Sequence, residues 1–314
     1  MASIIKQSDL VAQKTLKHSI SCKGIGLHSG CRVGVTLHPG VVNSGILFER
    51  TDVPIGKGTI QARWHNVVDT RLCTVIANDY GVSVGTIEHL MAAFSGCGID
   101  NAVVEIDGTE VPILDGSSAP WVTLIKQSQV VRQAAKRQAI HLHRPIAVRD
   151  CDKFAVLTPS PTAQFTVEID FASTIVGSQQ RSLQLLNGEF NRSIAGARTF
   201  GFMHEVEYLR KHGFALGGSL DNAIVIDGDT ILNEEGLRFK DEFVCHKILD
   251  SVGDLYLAGV PILGHFQAYK PGHKLNNELL HALFSQSDAW SYVTFNRTNT
   301  ELATWSVEQL AASA

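Results

Sequence analysis

The run from Phe239 to Leu257 constrains this chain more than any other stretch, because a strongly helical sequence there carries His246, Asp250 and Asp254 along one stripe. Four residues advance a helix by about 400° and about 6 Å, so His246 and Asp250 lie one turn apart on nearly the same face and can share one ion. Asp254 falls a further turn along, where a carboxylate can orient a ligand or another catalytic group. A hydrogen-bonded surface pair has the same i, i+4 spacing, so this helix alone leaves both readings open. A metal site needs a third ligand.

The adjacent pair Glu88-His89 offers one. It interrupts a segment, Ser83 to Phe94, in which small and apolar residues dominate. On a helix such neighbours project about 100° apart, so His89 could bind an ion while Glu88 points at a water on it. A half-buried histidine beside a solvated glutamate is the plain alternative.

Other chemistries fit less well. The only His-Glu dipeptide is His204-Glu205, and Tyr208 stands where a zincin motif would place its second histidine. Met203 to Lys211 therefore reads as a short amphipathic helix with a charged outer face. Gly24, Gly26 and Gly30 miss the dinucleotide fingerprint because the third glycine comes one residue late, and they read as a turn between strands. Cys245 precedes His246, which raises a cysteine nucleophile at Cys73 or Cys245, but adjacent side chains on a helix diverge.

A net charge of −4 and a pI near 6.3, with dispersed basic residues, argue against a nucleic-acid binder. No apolar run approaches the roughly 20 residues that span a bilayer. The six cysteines form no Cys-x-x-Cys pair and follow no secretory apolar segment, so reduced thiols in the cytoplasm are expected. A chain of 314 residues suggests two domains, and 44% hydrophobic content supplies a packed core.

The pattern along the chain is α+β. Val33 to Leu37 and Asn101 to Ile106 read as strands, and Val84 to Phe94 and Trp121 to Gln127 as helices. A polar, basic stretch from Gln127 to Gln138 is the linker candidate. The pattern then restarts, with strands at Ile140 to Val148, Lys153 to Leu157 and Gln164 to Phe171, and helices at Asp241 to Leu257 and Leu275 to Phe284. Two similar domains, 1–130 and 131–314, are expected.

Several ordered motifs carry a resemblance over essentially the whole chain: Gly24-Ile25-Gly26-Leu27-His28-Ser29-Gly30, Thr86-Ile87-Glu88-His89-Leu90, Asp115-Gly116-Ser117-Ser118-Ala119-Pro120, Ala197-Arg198-Thr199-Phe200-Gly201-Phe202, Leu216-Gly217-Gly218-Ser219, Leu237-Arg238-Phe239 and Gly272-His273-Lys274-Leu275-Asn276-Asn277. The chain resembles the UDP-3-O-acyl-N-acetylglucosamine deacetylases, zinc enzymes that commit Gram-negative bacteria to lipid A synthesis. The resemblance implies that His89, His246 and Asp250 bind zinc and that Glu88 is the general base. It implies that His273 is a charged partner held by Asp254, Thr199 an oxyanion hydrogen-bond donor, Phe200 a wall of the substrate site and Lys247 a contact to the nucleotide. It places His28 near the site, where an ordinary structural histidine is equally compatible.

The same resemblance implies two α+β domains packed helix layer to helix layer in a β-α-α-β sandwich, with the metal between them. Neither half alone should then hold zinc tightly. An insertion near 202–232 would form a passage for the fatty acyl chain, with Val206, Ala215, Gly218 and Val225 as substrate contacts; periodicity there equally allows a plain βαβ core element. The expected partner is a UDP-linked acylated amino sugar, met by a monomer in the cytoplasm or at the inner face of the inner membrane.

The residue inventory agrees with this chemistry. Two histidines and an aspartate leave one position open on a tetrahedral zinc and lower the pKa of water there to about 7. An acetamide demands carbonyl polarisation, oxyanion stabilisation and protonation of the departing nitrogen. The sequence leaves open whether Glu88 serves alone or with His273, the pair being favoured, and iron(II) or cobalt(II) would accept the same ligands. Two further readings remain open, a zinc deacetylase for another N-acetylated sugar and a nucleotide-sugar-binding regulator without catalysis.

Overall fold

The computed structural model describes residues 11–186 and 188–295; the outermost parts of the two expected domains, 1–10 and 296–314, lie outside the described residues. The fold is mixed α+β, with helices α1 (Glu88–Cys97), α2 (Ala119–Gln127), α3 (Glu189–Ser193), α4 (Met203–Lys211), α5 (Glu242–Leu255) and α6 (His273–Phe284). No helix among the described residues is long and apolar enough to cross a membrane.

In the first half, strand Arg32–Pro39 buries Val33, Val35 and Leu37 alternately, as a strand with one face on a core must. It lies second in a five-stranded sheet ordered Ile20–Ile25, Arg32–Pro39, Ala102–Ile106, Ile46–Arg50, Thr59–Gln61. In the second half, Ile262–Tyr269 is central to a seven-stranded sheet, pairing antiparallel with Lys153–Pro159 and parallel with Ala163–Asp170 and Gln138–Leu142. Both sheets feed one continuous apolar cluster in which Leu90, Met91 and Phe94 of α1 meet Val244, Leu249 and Val252 of α5. Every residue from Glu88 to Phe94 is buried. A helix covered all round has no solvent face to write an amphipathic period into its sequence.

Four expectations change. The helix expected over Val84 to Phe94 starts only at Glu88, because Ser83–Val84 is a short strand and Thr86 turns the chain at φ 56°. A β-branched residue rarely adopts that left-handed conformation, and here the Thr86 hydroxyl donates to Glu110 Oε1 at 2.9 Å. The stretch 127–138 is not a bare linker: Val130–Lys136 is a strand paired antiparallel with Ala12–Leu16, alternating half-buried and exposed. The single strand expected over Ile140 to Val148 is two, Gln138–Leu142 and Ile146–Asp150, on either side of Pro145, which has no N–H to give a ladder. The helix expected to Leu257 ends at Leu255 and continues as a 3-10 turn, Tyr256–Ala258, closed by Gly259 at φ 86°.

Candidate metal centre

Helices α1 and α5 meet at Gly253, where an added Cβ would overlap the carbonyl oxygen of Glu88 and lie 3.1 Å from Ala92 N. This backbone contact sets the first turn of α1 against α5. His89, His246 and Asp250 are 4%, 2% and 3% exposed, and one ligand atom from each lies within 4.8 Å of the others. Asp250 Oδ1 is 3.3 Å from His246 Nε2 and 3.6 Å from His89 Nε2, yet has no hydrogen-bond partner. Its other oxygen accepts from Lys247 Nζ at 2.7 Å.

The surroundings select the ligating atoms. His246 Nδ1 donates to the Ala197 carbonyl at 3.0 Å, which leaves Nε2 as the lone-pair nitrogen facing Asp250. That carbonyl is fixed by its neighbour: the buried Arg198 bonds Glu242 at the start of α5 through both Nε (2.9 Å) and its backbone N–H (3.0 Å). Burial pushes His246 down to about 3, so it is neutral at pH 7. Burial works to raise Asp250, but charge from His246 and Lys247 takes it well below the usual carboxylate range; with His246 neutral, Lys247 carries that role. A neutral His246, a second imidazole at His89 and an ionised carboxylate with an orphaned buried oxygen suit a first-row divalent metal, and such an oxygen is otherwise expensive to bury.

A second chain of contacts flanks these ligands. His273 opens α6 rather than sitting in a solvated loop; its Nδ1 bonds Asp254 Oδ2 at 2.8 Å and its Nε2 faces Glu88 Oε1 at 3.7 Å. Burial disfavours charge on His273, but Asp254 and Glu88 outweigh it and raise the imidazole to about 10. Burial also raises Glu88 above the ordinary glutamate value. Thr74 ties the two acids together, its N–H donating to Glu88 Oε2 at 3.0 Å and its hydroxyl to Asp254 Oδ1 at 2.6 Å. Asn276 Nδ2 adds a bond to Asp254 Oδ2 at 2.9 Å.

Of the remaining expected residues, Phe200 stands beside this core, and the others are placed by the elements that carry them. The Phe200 ring stands edge-on to His246 at 6.3 Å and to Phe243 at 4.9 Å. Thr199 is held by its backbone, donating to Gly116 O and accepting from Ile224 N, each at 2.8 Å. Val206 and Val225 belong to a βαβ unit made of strand Phe200–Phe202, α4 and the parallel strand Ile224–Asp227. Ala215, at φ 52° and 6% exposed, and Gly218 lie on the segment joining α4 to that strand. Nearby, a cleft of about 580 Å³ is lined by His28, Cys73, Thr86, Glu110, Tyr208 and Phe214. Both His28 ring nitrogens lack a partner there.

Residues set aside in the sequence take no chemical part. His204 and Glu205 are exposed on α4, and burial pushes the Cys73 and Cys245 thiols up to about 12, which leaves no thiolate for nucleophilic work at neutral pH. Sequence reasoning gave no role to Thr74, Asn276 or Gly253. Nothing marks Thr74 in the sequence. Asn276 stands three residues after His273, a spacing that shares a helix face, and a glycine inside a helical run signals close approach.

A buried cluster that could hold one divalent cation, with an acid and an imidazolium set beside it, suits hydrolysis; fold and centre together define the class of metal-dependent hydrolases with a mixed α+β fold. Residues 13–285 match the family model LpxC, UDP-3-O-acyl N-acetylglycosamine deacetylase, and the chain belongs to that family. It is 46% identical over 302 residues to the UDP-3-O-acyl-N-acetylglucosamine deacetylase of Idiomarina loihiensis, covering 95% of this chain and 98% of that protein. It is also 46% identical over 291 residues to the protein of that name from Pasteurella multocida, covering 91% and 94%.

Proposed function

We propose that this chain hydrolyses the N-acetyl group of UDP-3-O-(3-hydroxyacyl)-N-acetylglucosamine, giving acetate and the free 2-amine, with zinc held by His89, His246 and Asp250. The observation that carries this reading is the unpartnered Asp250 Oδ1 between two histidine Nε2 atoms, with the Glu88–His273 pair alongside. A zinc ion held there would supply Lewis-acid polarisation of the acetamide carbonyl.

The chain's own groups do the rest. Glu88, raised by burial and fixed by the Thr74 N–H, takes the proton of the attacking water. His273, kept protonated by Asp254, stabilises the developing oxyanion and then gives its Nε2 proton to the departing nitrogen. The Thr199 hydroxyl assists the oxyanion, Phe200 walls the sugar and Lys247 contacts the nucleotide. Val206, Ala215, Gly218 and Val225 contact the acyl chain. In this reading 1–130 and 131–314 act as two domains of a cytoplasmic monomer that meets its lipid-bearing substrate at the inner face of the inner membrane. The absence of disulfides among all six cysteines is in keeping with a reducing compartment.

The test is acetate release from the 3-hydroxymyristoyl substrate before chelation, after dipicolinate treatment and after return of one equivalent of zinc. Activity lost and then restored is expected; a zinc-loaded protein that releases no acetate would overturn the reading.

A further inference from the structure

A second cavity, of about 550 Å³, lies where the C-terminal ends of α1 and α5 meet the second sheet, and it shares no residue with the metal-ligating set. We propose that it binds an anionic amphiphile, a long-chain fatty carboxylate whose head rests on Lys14 and Arg137 and whose chain lies along the half-buried Leu185, Leu186 and Val260 of the lining.

The charge pattern points that way. Among the described residues Lys14, Lys126 and Arg137 line the cavity and no acid does. Lys14 Nζ and both terminal nitrogens of Arg137 converge on one corner, lying 3.6 to 3.8 Å from where a Cβ on Gly98 would stand. Asp100 is the acid nearest this corner, and its two oxygens are taken by Arg137 Nε at 2.7 Å and the Lys14 backbone N–H at 2.8 Å. Among the described residues the Lys14 ammonium thus shares Asp100 with Arg137 and has no carboxylate of its own. Burial and the neighbouring Arg137 lower its pKa, a cost that a bound anion would relieve.

The apolar walls and the volume suit a single hydrocarbon chain, since small-molecule sites span about 300–1,000 Å³ and are mostly apolar with a few placed polar groups. A free inorganic anion would leave those walls wet. A neutral lipid would bring no anion to the Lys14 ammonium, since Asp100 is engaged by Arg137.

Isothermal titration of the full-length, zinc-loaded protein tests this with dodecanoate, dodecyl phosphate and dodecanol, each below its aggregation concentration. Dodecanoate should bind, and Lys14→Glu should weaken it by about tenfold or more. Leu186→Trp, which fills the cavity from its rim, should also weaken it, and acetate release should be unchanged in both variants. Absent binding, equal binding of dodecanol, or full dodecanoate affinity in both variants would overturn the site. Tighter binding of dodecyl phosphate than of dodecanoate would overturn the carboxylate head.

Discussion

Gly253 of α5 lies so close against the Glu88 carbonyl of α1 that no Cβ fits between them. The contact is backbone to backbone and cannot be relieved by a rotamer change. It sits one residue from His89 and three from Asp250, so the separation of the two helices there sets the spacing of the ligands. Gly253→Ala should force the helices apart, destabilise the fold by about 1–3 kcal/mol as overpacking does, and lower the zinc content of purified protein. Wild-type metal stoichiometry together with a wild-type denaturation midpoint would refute this account.

Glu88→Gln keeps an oxygen for the Thr74 N–H and removes only the ability to take a proton. Turnover should fall by about 10²–10⁴-fold with zinc content and substrate affinity retained. Single-turnover acetate release beside metal analysis separates these effects, and it also discriminates against a binding protein without catalysis, which would not register the change.

His273 makes stability depend on pH. Its folded pKa is raised, from 6.5 to about 10, against the opposing pull of burial. The folded state therefore holds the proton more tightly than the unfolded chain. That stabilisation is fully present below about pH 6.5 and is lost as pH rises through about 10. Denaturation of the metal-free protein should show the gap between wild type and His273→Gln shrinking across this window. Asp254→Asn removes the largest charge favouring the imidazolium, so the His273 ring should titrate at lower pH by NMR; an unmoved midpoint would mean that Asp254 does not set it.

Asn276 provides a subtler test, because its side-chain amide donates to Asp254, the partner of His273. Asn276→Ala should lower kcat with little change in KM, as expected for loosening a group that positions a proton donor. Asn276→Asp should not rescue, since it adds a negative charge where a donor is needed.

Ala215→Trp probes the acyl contacts. Chain burial is worth roughly 0.8 kcal/mol per CH₂, so blocking it should penalise long-chain substrates far more than their deacylated counterparts. Equal losses for both would show that the acyl chain runs elsewhere.

Much of this was legible in the sequence where geometry is local. The stripe of His246, Asp250 and Asp254 and the helix α4 at Met203–Lys211 follow from helical period, and the strand expected over Val33 to Leu37, found at Arg32–Pro39, follows from two-residue alternation. Val130–Lys136 was not legible as a strand, because its partner Ala12–Leu16 is distant in sequence and its own residues are too polar to announce a buried face. The start of α1 was hidden for a related reason: Thr86 takes its unusual φ with help from Glu110, which arrives from another loop.

The sequence by itself determined the donor types, two imidazoles and several carboxylates, and the local spacing that puts some of them on one helix face. The grouping of His89 with His246 and Asp250, and of His273 with Asp254, was reached in the sequence only through family resemblance; the tertiary structure alone decided how they meet, that Thr74 and Asn276 hold Glu88 and Asp254, and that His246 is neutral beside a protonated His273. The reason is physical: spacing along one helix is set by covalent geometry, whereas burial and the field of charges at the centre arise from segments that meet only when the chain is packed.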